Sequence, residues 1–75
     1  MKIDLLQQKI GERIRLIRES KGISQQNLAA ICNFEKANLS RIEAGRTNPT
    51  ISTLYKISQA LEITISELVD VEIEG

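Results

Sequence analysis

Lys36, Asn38 and Arg41 are the side chains of this 75-residue sequence best suited to gripping a polyanion. They lie within S-Q-Q-N-L-A-A-I-C-N-F-E-K-A-N-L-S-R-I-E-A-G, residues 24–45, which reads as two short helices joined by a tight corner. No core requires any of the three. Two helices meeting at roughly 90–120° over a short turn make the helix-turn-helix geometry, whose second helix can enter the major groove of DNA. Arg41 there could pair bidentately with guanine O6 and N7, worth roughly 1–3 kcal/mol of discrimination. Lys36, at the helix start, could reach guanine or a phosphate.

Other chemistries find few residues. The sequence has no histidine, so general-base and metal chemistry lose their commonest side chain. Cys32 has no imidazole to activate it and is expected on a core face, as a buried thiol. One cysteine without histidine cannot make a usual structural zinc site, and no glycine-rich phosphate loop is present. Glu67, Asp70, Glu72 and Glu74 read as a solvated acidic end rather than a metal cage. The expectation is a protein with no catalytic residues, no metal and no cofactor: not an enzyme.

A chain of this length has room for one domain, 1–75, with a core over about 10–69 and a tail at 70–75. Its stability should be about 4–11 kcal/mol, at ~0.05–0.15 kcal/mol per residue. A single cysteine cannot staple the fold, so apolar packing must hold it, as in a reducing compartment. No apolar run approaches the ~18 residues of a membrane span. Asp4, Gln7, Gln8 and Lys9 interrupt any signal-peptide core, so a cytoplasmic location is expected. The formal net charge is zero, which suits DNA poorly, since phosphate neutralisation dominates affinity. The distribution corrects the impression. Residues 1–46 carry nine lysines and arginines against five acids, a net +4, and residues 47–75 carry one against five, a net −4. The basic half contains the two-helix segment, and the acidic end would face away from DNA or towards another subunit.

The elements that must position these residues follow from period and punctuation. Leu6, Ile10, Ile14 and Ile17 form the apolar stripe of a first helix over about 5–21, stopped by Gly22. Ser24 caps a second helix over about 25–31, with Ile23 and Leu28 as its hydrophobic staple. Ala29 lies where two helices approach closely, and Asn33 is the turn residue able to take positive φ. The third helix spans about 35–44 with Leu39 and Ile42 inward and Gly45 as its stop. Asn48-Pro49 marks a loop. Thr50 caps a fourth helix, with Ile51, Leu54, Ile57 and Leu61 in period. Thr64 with Glu67 makes a capping box, and Ile63 with Leu68 a staple, for a brief fifth helix ending near Val69 or Asp70. The tail V-D-V-E-I-E alternates as a strand would, but it would need a partner edge.

Five helices with this punctuation resemble the phage repressor and Cro class of helix-turn-helix proteins, the XRE family. The resemblance covers about 10–68. It rests on I-G-E-R-I-R-L-I-R, G-I-S-Q-Q-N-L-A, L-S-R-I-E-A-G and N-P-T-I-S-T-L with A-L-E-I-T, in order and at the right spacings. It implies an all-α, five-helix repressor-like domain whose recognition helix, about 35–44, enters the major groove. It implies that Lys36, Ala37 and Arg41 read bases. Gln25 would touch phosphate and brace the recognition helix, and Asn38, Arg46 and Asn48 would contact the DNA backbone, setting register without reading sequence. It also implies a buried ion pair, Arg18 with Glu43, tying the first helix to the end of the third. Each of the two stands beside an apolar stripe, four residues after Ile14 and Leu39.

The sequence departs from the family's pattern in four places. Asn33 and Glu62 stand where glycine is common, and at Glu62 the corner is expected to be strained or differently shaped. Glu35 replaces the usual Ser or Thr cap. Its carboxylate suits the helix dipole but repels phosphate, and it could lower affinity or accept from cytosine N4. Ile31 is apolar where the family is often polar, giving extra core or an exposed contact.

The resulting expectation is a sequence-specific, double-stranded-DNA-binding transcriptional regulator, a homodimer on a two-fold symmetric operator with recognition helices roughly 34 Å apart. Residues 63–73 are either the dimer interface or a frayed tail. The alternative is an antitoxin or protein-interaction module that keeps the fold, with a protein as partner.

Overall fold

The computed structural model describes residues 3–72. Its elements are α1 (Ile3–Ser20), α2 (Gln25–Cys32), α3 (Lys36–Glu43), α4 (Ile51–Ala60) and α5 (Ile65–Leu68). The architecture is the all-α, five-helix arrangement expected from the sequence. The principal contacts close a ring: α1 lies on α3, α3 on α2, α2 on α4, α4 on α5, and α5 back on α1.

Side-chain caps set where α2, α4 and α5 begin. Ser24 accepts from the Asn27 amide, Thr50 from Thr53 and Thr64 from Glu67, each at 3.1 Å. The Glu67 carboxylate completes the capping box by accepting from the Thr64 amide at 3.2 Å. Each such cap is worth about 1 kcal/mol, because it satisfies an amide with no intrahelical partner.

The first four helices end alike. The residue past the end takes a left-handed backbone, at Gly22, Asn33, Gly45 and Glu62. Its amide and the next one donate back to carbonyls near the end of the helix. At the corner after α2, Asn33 donates to the Ala30 carbonyl at 3.2 Å and Phe34 to Ala29 at 2.8 Å. This paired closure satisfies carbonyls that would otherwise be orphaned. Glu62 obtains the same geometry without glycine, at φ 59°, so that corner keeps its shape and carries the strain.

Inside the ring, Ile14, Leu28, Leu39, Ile57, Leu61 and Leu68 are fully buried, with Ala29, Cys32 and Ile42 beside them. Each large aliphatic chain contributes about 1.5–3 kcal/mol by leaving water. Burial also pushes the Cys32 thiol above its ordinary value, against a smaller opposing pull from Lys56.

Several boundaries differ from expectation by one or two residues. Helix α1 runs from Ile3 and stops at Ser20, because Lys21 already belongs to the closing turn. Helix α2 extends through Cys32. In α3, Glu35 and Ala44 are caps, Glu35 being extended at φ −74° and ψ 142°. Helix α5 ends at Leu68. Ile31 is exposed, so it adds nothing to the core.

The strand signal at the C-terminus is overturned as far as Glu72, for the described residues hold no strand. Val71 instead donates to the Val69 carbonyl at 2.9 Å, and the Lys9 ammonium donates to the Glu72 carbonyl at 2.7 Å. Among the described residues no sheet edge is available to this segment, and Lys9 of α1 binds it. Of the segment expected at a dimer interface, Leu68 is buried and Ile63 and Val69 pack against the core. Ile73 and Glu74 lie outside the described residues.

Candidate nucleic-acid interface

Helix α3 is held from behind by one carboxylate. Glu43, at its last turn, is buried, and so is Arg18 on α1. Arg18 Nε donates to Glu43 Oε2 at 2.7 Å, and Nη2 to Oε1 at 3.0 Å, a two-point pairing. Arg18 Nη1 donates to the Ile23 carbonyl at 2.8 Å. Gln25 Nε2 donates to Glu43 Oε1 at 3.0 Å. The carboxylate is thus bonded from both α1 and the start of α2. Among the described residues no fully buried side-chain nitrogen or oxygen lacks a partner. The hydrogen bonds to Glu43 raise the affinity of the Arg18 guanidinium for its proton, outweighing burial, which opposes it. Desolvated charges are tolerable only when paired and hydrogen-bonded in this way.

Close backbone contact completes the mount. Gly11 is buried within α1, and a Cβ built there would stand 2.3 Å from the Ile42 carbonyl oxygen and 2.7 Å from that of Glu43. Gly45, at φ 74°, would place a Cβ 2.6 Å from Gln8 Cα. Helix α1 therefore touches the end of α3 backbone to backbone at two points. Gly45 was legible as a helix stop. The wedge at Gly11 was not, and its one signal is a glycine inside an otherwise uninterrupted helical pattern.

With Leu39, Ile42 and Glu43 buried, the opposite face of α3 is free. Lys36, Ala37, Asn38, Ser40 and Arg41 are all exposed. Lys36 occupies the first helical position and Glu35 precedes it with no capping hydrogen bond from its side chain. Arg41 Nη2 donates to Asn38 Oδ1, one turn earlier. Both residues line a groove of about 430 Å³ that also includes Thr47, Asn48 and Thr50. Arg46 and Asn48 are exposed on the chain leaving α3. Lys36, Ala37, Asn38, Arg41, Arg46 and Asn48 therefore lie on α3 and the loop that follows it, while Gln25 is partly exposed and bonded inward to Glu43. The threonine hydroxyls beside Asn48 were not singled out as site residues from sequence, where Thr50 read only as a cap.

The helix-turn-helix family model HTH_3 matches residues 14–68. The chain belongs to this XRE-type helix-turn-helix family. Among relatives, it is 40% identical over 60 residues to the uncharacterized HTH-type transcriptional regulator y4dJ of Sinorhizobium fredii, covering 80% of this chain and 78% of that protein. It is 45% identical over 64 residues to the HTH-type transcriptional regulator SlrR of Bacillus subtilis, covering 84% of this chain but only 42% of SlrR. Among solved structures, it resembles the biofilm master regulator SinR in complex with DNA, with a TM-score of 0.76 and 40% identity over 81% of this chain and 98% of that one. The helix-turn-helix family thus supplies regulators whose lengths differ widely around a shared unit. Among the described residues, no helix is long and apolar enough to cross a membrane.

Proposed function

We propose that this protein is a sequence-specific regulator of transcription that binds double-stranded DNA as a homodimer, with α3 in the major groove. The observation that carries this reading is the division of α3: one face is bonded and wedged to the core through Glu43, and the other presents Lys36 and Arg41 to solvent. A helix fixed so firmly with a cationic face unused by the fold suits a rigid groove. Lys36, Ala37 and Arg41 are the base readers in this reading. Gln25, Arg46, Asn48 and the amide of Asn38 contact phosphates, positioning without specifying. The family supports a cytoplasmic, non-enzymatic protein, and two-fold symmetry would place two recognition helices on one face of the duplex.

A second reading, an antitoxin or protein-interaction module, is favoured by Glu35, whose carboxylate makes no capping hydrogen bond at the start of α3 and would repel a phosphate there. Selection of duplexes from a random pool separates the regulator from a module that has lost DNA binding, whereas an antitoxin that also binds its own promoter would be told apart by capture of a protein partner. The regulator enriches a two-fold symmetric motif and loses affinity steeply with added salt. A pool that emerges without a motif refutes sequence-specific recognition.

A further inference from the structure

We propose that Asn38 is a positioning residue for Arg41, fixing the guanidinium towards the N-terminal end of α3, and so sets base preference without itself reading a base. The inference rests on Arg41 as a base reader and goes beyond it. Arg41 Nη2 donates to Asn38 Oδ1, and the two residues are three apart on a helix, where side chains are neighbours. Both are exposed, so no packing otherwise dictates where Arg41 lies.

An unrestrained arginine at this place has two kinds of target. It can reach back along α3 to base edges, which the first residues of a recognition helix meet. It can also fold over the groove bordered by Thr47, Asn48 and Thr50, where a phosphate would satisfy it without any sequence information. The bond to Asn38 draws the guanidinium back along α3, at the edge of that groove, which both residues line, and so favours the first. It uses one of five N–H donors of the guanidinium and leaves a two-donor edge for guanine. It also orders a side chain that otherwise carries large rotamer freedom into DNA binding. The side-chain bond engages Asn38 Oδ1 and leaves the side-chain nitrogen Nδ2 available, so a phosphate contact by the same residue is compatible with this role and separable from it.

The probe is the duplex enriched from a random pool by the native protein, together with its single-base variants. Arg41→Ala should flatten preference at one base pair of each half-site; if it does not, Arg41 is not a reader and this inference falls with that one. Given that loss, Asn38→Ala should reduce the same preference roughly two- to tenfold, the value of ordering one flexible side chain. Asn38→Asp, which keeps the acceptor, should retain the preference while weakening binding to all duplexes. In the Arg41→Ala background, Asn38→Ala should cause no further loss of preference. If Asn38→Ala instead weakens every duplex equally, with preference intact, Asn38 only contacts phosphate and the proposal is overturned. Matching circular dichroism melts confirm that the variants remain folded.

Discussion

Arg18 and Glu43, twenty-five residues apart in sequence, meet in a two-point ion pair with contacts of 2.7 and 3.0 Å between buried side chains. This contact decides where α3 sits. Removing one partner should therefore cost far more than the pair is worth. Arg18→Ala is expected to destabilise the fold by about 3–5 kcal/mol, because Glu43 is left buried with only Gln25 to bond it. Arg18→Met combined with Glu43→Leu should recover most of that loss. Urea denaturation of the three proteins measures both effects, and an unchanged midpoint in Arg18→Ala would remove the ion pair from the account.

Gly11→Ala should be destabilising by about 1–3 kcal/mol, the usual cost of overpacking, although alanine is the better helix former. The new methyl meets two carbonyl oxygens of α3 that cannot rotate away. Thermal melts should show a lower Tm, and DNA affinity should fall with it as α3 is pushed outward. A Tm at or above that of the native chain would show that α1 and α3 separate freely.

Glu62→Gly is expected to stabilise. A side chain at φ 59° bears a left-handed penalty of about 1–2 kcal/mol, partly offset by the extra freedom glycine gains on unfolding. The net gain should be about 0.5–1 kcal/mol, a rise in Tm of about 2–8 °C. Gly45→Ala should do the reverse, since it meets both the left-handed backbone and Gln8.

Alkali should expose the buried thiol. An unfolded cysteine titrates near 9.0, and burial raises the folded value of Cys32 above that. Between the two values the folded chain holds a proton that the unfolded chain has lost. The contribution to stability is thus full below about 9.0 and declines as pH rises through the folded value. Cys32→Ala, though less stable through its lost packing, should show a shallower alkaline decline in chemical denaturation. Parallel declines in the two proteins would contradict the assignment.

What the sequence disclosed was mostly local. Ser24, Thr50 and the Thr64–Glu67 box announced their helices because a cap needs only residues three apart, and Asn33 announced its corner through its tolerance of positive φ. The tertiary mount was half legible: family resemblance pointed to Arg18 and Glu43, but nothing local says that Gly11 must admit two carbonyls from α3. The alternation from Val69 misled because a strand pattern is only a demand for an edge, and the Glu72 carbonyl instead accepts from Lys9. The bond between Asn38 and Arg41 depends on two rotamers, so spacing allowed it without requiring it.

The two-sidedness of α3 has an evolutionary consequence. Lys36, Ala37, Ser40 and Arg41 contribute nothing to the core, whereas Leu39, Ile42 and Glu43 contribute little else. Exposed substitutions of this kind usually shift stability by no more than about 0.5 kcal/mol. With the proposed readers on that face, mutations could exchange one operator for another without passing through unfolded intermediates, and a duplicated copy of this chain could diverge to a new target by a few changes on one helical stripe.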